Sequence, residues 1–344
     1  MKRTNSMVQR INFMFRDLKR GRKETMPSRF WLNLNSMHMK ELASAGYENF
    51  KQTLVRKYFA NTPWFFMNRQ TLFLILNMNP VKTLIIVIKS IITKKHKYFN
   101  LVDSWSFNFL SLMVWEYANK HDEEKLLSRL EEPLYGNPPR IYIGDKLISQ
   151  DTANSVLEYY SIFNYVKNPK KIKVILELGA GSGRNAFVFL SIIPKLKYII
   201  IDIPPALAIS EKYLSEVFPD KKIFKYRPFK SFSEIQDEFN KADILFFLSS
   251  QIEMIPKNIV DLSVNISSLH EMRMDQVNFY FNQIQRITKK NAYFYFKQWK
   301  RAYVDHENIY INISDYPIRP LWRKIYLRQA QIQVKFFEAL LQKK

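Results

Sequence analysis

Val174-Ile175-Leu176-Glu177-Leu178-Gly179-Ala180-Gly181-Ser182-Gly183-Arg184-Asn185 is the stretch on which the reading of this chain turns. A β-branched apolar run enters it, and three of the chain's seven glycines fall within five residues at its centre. The exit, Ala186-Phe187-Val188-Phe189-Leu190, is continuous apolar sequence that suits a strand or a buried helix equally. The glycines decide between them. A strand ending in Gly-x-Gly-x-Gly has to turn tightly into an element packed close behind it, most simply a helix. A helix start beside unhindered backbone presents free N–H groups and a positive dipole end to a ligand.

A dinucleotide site wants G-x-G-x-x-G, and counted from Gly179 and Gly181 the third glycine position is Arg184, so that pattern fails. Lys197-Tyr198-Ile199-Ile200-Ile201-Asp202 reads as a second buried strand ending in a carboxylate. An α/β nucleotide fold places an acid on the ribose hydroxyls about 20 residues past the loop, where Asp202 stands. The run Glu177-Leu178-Gly179-Ala180-Gly181-Ser182-Gly183 resembles the first motif of class I S-adenosylmethionine-dependent methyltransferases.

Composition sets the outer bounds. A chain of 344 residues is long enough for two domains, and 47% apolar with 15% aromatic residues excludes a disordered chain. The absence of cysteine excludes disulfides and thiolate metal sites, and nothing argues for secretion, so a cytoplasmic protein is expected. A formal charge of +22 implies an anionic partner or surface: nucleic acid, acidic lipid, or a charged glycan or glycolipid. Thirteen Lys and Arg against four Asp and Glu fall in residues 1 to 57, although a solvated basic face accounts for such a run as well.

Met7, Ile11, Met14, Phe15 and Leu18 recur at helical spacing among Arg10, Arg16, Lys19 and Arg20, which predicts a basic amphipathic helix. It packs on the body of the protein or lies on an anionic membrane surface, in the second case as a peripheral protein at the inner face. No apolar core follows the charges, so it is not a secretory signal, whereas an Arg-rich, acid-poor start permits a transit peptide. Ser28 caps a helix carrying Phe30, Trp31 and Leu34 that Gly46 breaks. Tyr47, Phe50, Leu54 and Tyr58 form the next stripe, ended by Asn61-Thr62-Pro63. Residues 71 to 95 read as buried core, with an interfacial segment as the alternative, because Asn77, Asn79, Pro80, Lys82 and Lys89 interrupt any span of about 20 apolar residues. Residues 101 to 132 are one or two more helices, and Glu132-Pro133 to Pro138-Pro139 reads as a linker.

Ile141 to Ile148 resembles a small hairpin, and Ser149-Gln150-Asp151-Thr152-Ala153-Asn154-Ser155 enters a helix that Ser149 caps, with Asp151 in its first turn; these polar residues either serve that local structure or border the cofactor pocket. From Lys173 strands and helices alternate, which predicts α/β architecture with a mostly parallel sheet. Strands are expected at Val174 to Leu178, Tyr198 to Ile201, Asp243 to Leu248, Leu262 to Ile266, Ala292 to Phe296 and Trp322 to Leu327, with a helix over Met274 to Thr288. The division is a basic arm (1–26), a mainly helical domain (27–135), a connector (136–165) and a Rossmann-like domain (166–344).

Asp261-Leu262-Ser263-Val264-Asn265-Ile266-Ser267-Ser268-Leu269-His270-Glu271-Met272 is similar to a segment of the sugar O-methyltransferases, a bacterial family within class I. Pro27 to Asn35, Tyr47 to Lys51 and Leu147 to Ser155 resemble further stretches, so the likeness runs from about residue 27 to the C-terminus. It implies a Rossmann-like, seven-stranded methyltransferase sheet, S-adenosyl-L-methionine as donor and a sugar hydroxyl of a polysaccharide, glycolipid or nucleotide sugar as carbohydrate acceptor. By position it implies that Glu177, Gly179, Gly181 and Gly183 hold the methionine end, Asp202 the ribose, and Ser249 and Gln251 the adenine.

Methyl transfer to an alcohol needs alignment of three atoms and a base for a weakly acidic proton. His270 suits that task, one of five histidines and placed after a strand end on the ligand side. A packing or capping role for His270 stands equally open, Glu271 or Asp151 are alternatives as base, and His306 is a weaker one. No H-E-x-x-H-like spacing is present, so no metal is expected. The charge keeps a nucleic-acid methyltransferase in view; Asn265-Ile266-Ser267-Ser268 lacks the Asp/Asn-Pro-Pro-aromatic motif of base methylases, which leaves ribose methylation open. A non-catalytic docking protein that keeps the cofactor site is the reading from another class. A homo-oligomer is compatible with all of them.

Overall fold

A computed structural model describes residues 2–55, 78–92, 101–304, 307–318 and 320–344. Among the described residues five α-helices come first: α1 (Lys2–Leu18), α2 (Arg29–Ala45), α3 (Pro80–Ile92), α4 (Leu101–Lys120) and the short α5 (Leu126–Arg129). The hairpin β1 (Ile141–Ile143) and β2 (Lys146–Ile148) leads into α6 (Gln150–Phe163). Then follow β3 (Val174–Leu178), α7 (Arg184–Ile192), β4 (Lys197–Asp202), α8 (Ala206–Val217), β5 (Ile223–Phe224), α9 (Gln236–Lys241), β6 (Ile244–Leu248) and β7 (Val260–Ile266). The chain closes with α10 (Met274–Ile287), β8 (Thr288–Trp299), the pair β9 (Arg301–Val304) and β10 (Ile309–Asn312), β11 (Trp322–Gln329) and β12 (Phe336–Lys343).

The large sheet has the order β11-β12-β8-β7-β3-β4-β6-β5. Its neighbours are parallel except that β12 runs antiparallel to both β8 and β11. From β3 the chain builds outward through β4 and β6, then returns to the other side of β3 with β7 and β8. The order therefore reverses between β3 and β7, and the carboxyl ends of β3, β4 and β7 open on one crevice, the place where such sheets bind ligands. This is a Rossmann-like α/β fold.

The strand pleat explains why the runs are apolar throughout. Ile175, Ile200, Phe246, Val264 and Tyr295 point to one face and pack with α1, α4, α6, α7 and α8. Leu176, Ile199, Ile201, Phe247, Phe294 and Phe296 point to the other, under α9 and α10. Alternate residues therefore meet different helices, and both sets must be apolar. Each fully buried side chain of this size contributes about 1.5–3 kcal/mol of transfer free energy.

Strands lie where the sequence places them, and Ser28, Gly46 and Ser149 terminate their helices as expected; Ser149 Oγ accepts from Thr152 N at 3.1 Å. The run Phe336-Phe337-Glu338-Ala339-Leu340-Leu341-Gln342 was not foreseen as a strand. It lacks alternation because β12 sits between two strands and is buried on both faces. The sheet also has eight strands rather than seven, the extra one being the two-residue edge β5.

Met7, Ile11, Met14 and Leu18 of α1 are buried in the core, so the face a lipid surface would take up is inside. Arg10 donates to both Glu211 oxygens (2.8 and 3.0 Å) and to Tyr226 O (2.7 Å). Part of the basic charge of the arm is therefore paired within the fold.

Two expectations need correction. In the described part of residues 71 to 95, α3 buries Val87 and Ser90 but leaves Leu84, Ile85 and Ile88 exposed, since its apolar residues run round the helix and among the described residues one stripe is covered. The Pro-rich stretch read as a linker begins at a tie: Glu132 is buried, accepting from Lys51 Nζ (2.6 Å), Ser149 Oγ (2.6 Å) and Thr152 Oγ1 (2.6 Å). Tyr58, Asn61-Thr62-Pro63 and His306 lie outside the described residues. Among the described residues no helix is long and apolar enough to cross a membrane.

Candidate functional site

A cavity of about 350 Å³ opens at the carboxyl ends of β3, β4 and β7, within the range of small-molecule sites. Its floor is the glycine loop. Gly179 has φ +75° and faces the turn after β7 so closely that a Cβ would stand 2.5 Å from Ser268 Oγ. A Cβ on Gly181 would meet nothing within 4 Å, which leaves the backbone there open to a ligand. Gly183 has another part: it is the residue before α7, and a Cβ on it would press on Leu214 at 3.1 Å. It lets α7 pack on α8 and is not among the cavity walls.

Asp202 ends β4 on the cavity wall, its Oδ2 accepting from Gly181 N (2.8 Å) and its Oδ1 from Ile203 N (2.7 Å). Burial pushes the carboxyl up to about 7, against the two backbone N–H groups that favour its anion. Glu177 also lines the cavity but accepts from Asn185 Nδ2 (3.0 Å) and Tyr198 OH (2.8 Å), so it binds β3, β4 and α7 together as well. Ser249 lines the cavity while its hydroxyl donates to Thr25 O at 2.9 Å. Gln251 is displaced from the role expected of it. Its Oε1 accepts from Leu248 N (3.0 Å) and its Nε2 donates to Arg227 O (2.9 Å), and it is not a cavity wall. With both ends of the amide on backbone, Gln251 clamps the turn after β6.

Gln150, Asp151 and Asn154 of α6 form another wall with Arg184. Burial raises the Asp151 carboxyl, offset in part by the nearby guanidinium. Arg184 is itself fixed by Glu158 (2.7 and 3.0 Å) and Ser155 Oγ (2.8 Å). Asn154 Oδ1 is buried without a hydrogen-bond partner. A buried orphan acceptor costs about 1–3 kcal/mol, and an ammonium group would satisfy it. This acceptor, the open face of Gly181 and the carboxylate of Asp202 fit S-adenosylmethionine, with ammonium, backbone-contacting and ribose hydroxyl groups in that order.

His270 and Glu271 stand at the β7 side. His270 stacks on Trp299 with centroids 5.2 Å apart, and its Nδ1 is 2.9 Å from Gln298 Oε1. Burial lowers the imidazole to about 4, so it is neutral at working pH. Glu271 is pushed by burial to about 8, with Oε1 3.8 Å from His270 Nε2 and with Oε2 unpartnered. A second cavity of about 390 Å³, walled by Phe30, Leu34, Met37, Trp299 and Tyr303, meets the first across His270 and Glu271. Both ends of the site are therefore brought together: Asp151, His270 and Glu271 share the cavity of Gly179, Gly181 and Asp202.

The segment after α1 closes this cavity, which the sequence reading missed. Thr25, Met26, Ser28 and Trp31 line it, tied down by Gln276 Nε2 to Met26 O (2.7 Å) and Ser28 Oγ to Glu271 O (2.8 Å). Gln298, Trp299 and Phe336 were missed too, whereas Gln150, Asp151 and Asn154, expected to border the pocket, do line it. Isolated polar or aromatic residues on helices and strands carry no spacing signal, and only the sheet order brings them together. Among the described residues no group of three or more His, Asp and Glu is placed to hold a metal.

No protein-family model matches the chain, and no curated protein is similar to it in sequence. Solved structures with a similar fold include an S-adenosylmethionine-dependent methyltransferase from Aquifex aeolicus, 14% identical, covering 54% of this chain and 93% of that one with a TM-score of 0.36. Another is mitomycin 7-O-methyltransferase, 11% identical over 57% of this chain and 55% of that one, TM-score 0.41, so about half of that chain is spanned. A third is geranyl diphosphate methyltransferase in complex with its methyl donor, 10% identical over 56% and 84%, TM-score 0.39. At these scores the likeness adds nothing to what the sheet order itself shows, a Rossmann-like fold.

Proposed function

We propose that the protein is an S-adenosylmethionine-dependent O-methyltransferase whose acceptor is a sugar hydroxyl. The observation that carries this reading is one cavity with a glycine loop and Asp202 at one end and a neutral histidine at the other. Bound there, S-adenosylmethionine supplies a methyl group activated by a sulfonium. Asp202 accepts from the ribose hydroxyls, Asn154 Oδ1 and Asp151 accept from the ammonium group, and the Gly181 backbone allows close approach. Ser249 and Tyr280 remain on the wall for the adenine side.

The acceptor enters from the second cavity, whose aromatic walls offer flat apolar surface to one face of a sugar ring and exclude water. His270 Nε2 would take the proton of the acceptor hydroxyl, leaving the donor's sulfur as a neutral thioether once the methyl group is transferred. Above about pH 8, where Glu271 is ionised, its carboxylate 3.8 Å away would compensate the charge of the imidazolium. Resemblance of Asp261 to Met272 to the sugar O-methyltransferases supports the carbohydrate acceptor. A ribose hydroxyl of RNA is the second reading, favoured by the charge of +22.

The test is transfer of labelled methyl from S-adenosylmethionine to a panel of neutral, lipid-linked and nucleotide-linked saccharides and to RNA. Incorporation into a saccharide that is lost in His270→Ala supports the proposal. Incorporation into RNA alone, or into nothing while the donor binds, refutes the carbohydrate acceptor.

A further inference from the structure

We propose that Gln298 and Asn265 are positioning residues that hold His270 as one neutral tautomer, proton on Nδ1 and lone pair on Nε2, through amides anchored on the Leu178 carbonyl. The inference rests on the reading of His270 as the base and concerns what prepares it.

The direction of every bond is dictated by groups that can act in one sense only. Leu178 O is a carbonyl and can only accept, so the atom of Asn265 at 2.8 Å from it must be Nδ2. Asn265 Oδ1 then faces Gln298 at 2.5 Å, which requires Gln298 Nε2 there. The same amide nitrogen lies 3.4 Å from Asn265 O, again a pure acceptor. Gln298 Oε1 is thereby turned to His270, where the backbone N–H, a pure donor, reaches it at 3.2 Å. His270 Nδ1 lies 2.9 Å from that same oxygen and can approach it only as N–H. A neutral imidazole with its proton on Nδ1 has its lone pair on Nε2, the atom directed to Glu271 where the two cavities meet.

The relay starts at the last residue of β3, one position before Gly179, and ends on the imidazole. It runs through β7 and β8, whose pairing sets Asn265 opposite Phe296 and Ile266 opposite Lys297, next to Gln298. Asn265, Gln298 and His270 are all buried, so water does not compete for these amides. The strand that carries the glycine loop is thus connected to the base by three hydrogen bonds. The orienting group behind the imidazole is a neutral amide, not a carboxylate. It fixes the tautomer without raising basicity, and charge compensation falls to Glu271 on the other side of the ring.

Long-range ¹H–¹⁵N correlation spectra of the uniformly ¹⁵N-labelled 344-residue chain test this directly, His270 being assigned by the signals missing from His270→Ala. The expected result at pH 7 is one set of His270 signals of the Nδ1–H, Nε2-unprotonated type. In Gln298→Met, which keeps the volume and removes the acceptor, the Nε2–H form is expected to take over. In Asn265→Ala a mixture of the two is expected. A wild-type imidazole that is protonated on Nε2 or averaged between tautomers would overturn the proposal, and so would an unchanged tautomer in Gln298→Met. The wild-type spectrum decides the matter even if a variant does not fold. No donor or acceptor is needed, so an unaltered methyl-transfer rate in His270→Ala would remove the base assignment while the relay stands or falls on the spectra.

Discussion

The two ends of the cavity are built from different materials. At the β3–β4 end the groups that face a ligand are backbone or are held by backbone: Gly181 is open, and Asp202 is fixed by two main-chain N–H groups. At the β7–β8 end they are side chains held by side chains, with His270 on Gln298, Gln298 on Asn265 and Trp299 stacked behind. The first arrangement suits a ligand that is always the same, because main-chain geometry leaves little to vary. The second holds an imidazole through buried side chains of β7 and β8, so its geometry depends on how three strands pack.

This contrast breaks most visibly at Asp202. Replacing it by alanine would remove the carboxylate proposed to hold the ribose and is expected to weaken S-adenosylmethionine binding about 100-fold, roughly 3 kcal/mol, by calorimetric titration. At the other end, His270→Ala is expected to lower turnover by about 100-fold with donor affinity intact. A loss of donor affinity in that variant would show that the two ends are not separate. The pH dependence is smaller. With Asp202 near 7, the free protein holds the carboxyl protonated at lower pH, and binding that needs the anion releases a proton. Affinity is therefore expected to rise by up to about tenfold per pH unit on approach to 7 from below, then level off, and Asp202→Asn is expected to lack that slope. The smallest functional effect is expected for Gln251→Ala: unchanged donor affinity, with stability reduced by about 1–3 kcal/mol from two unpaired backbone groups, read by thermal unfolding.

The same contrast explains what was legible in the sequence. Gly179, Gly181 and Asp202 announce themselves because a strand, a tight loop and a strand-terminal acid must follow one another at fixed spacing. Ser249 was found by its place after a strand, but Gln251, two residues on, turns away to close the backbone of its own turn. His270 could be singled out as a scarce residue at a strand end, yet its partner Gln298 lies 28 residues away on β8. Nothing in an isolated glutamine marks it as facing a histidine; the parallel register of β7 and β8 does that. The roof from Thr25 to Trp31 was illegible for the same reason, since its place depends on Gln276 and Ser249 reaching across more than 200 residues of chain. Strand β12 escaped because burial on both faces erases the alternation that identifies a half-exposed strand.

The claim on which the rest depends is that the glycine-loop end takes S-adenosylmethionine. Its most direct test is calorimetric titration of S-adenosylmethionine, and of its demethylated product, into the 344-residue chain at pH 7.5 or above. The expected result is one site per chain at micromolar affinity for both compounds. Absence of heat and of competition for either compound would contradict the account, leaving a Rossmann-like fold whose loop serves some other ligand.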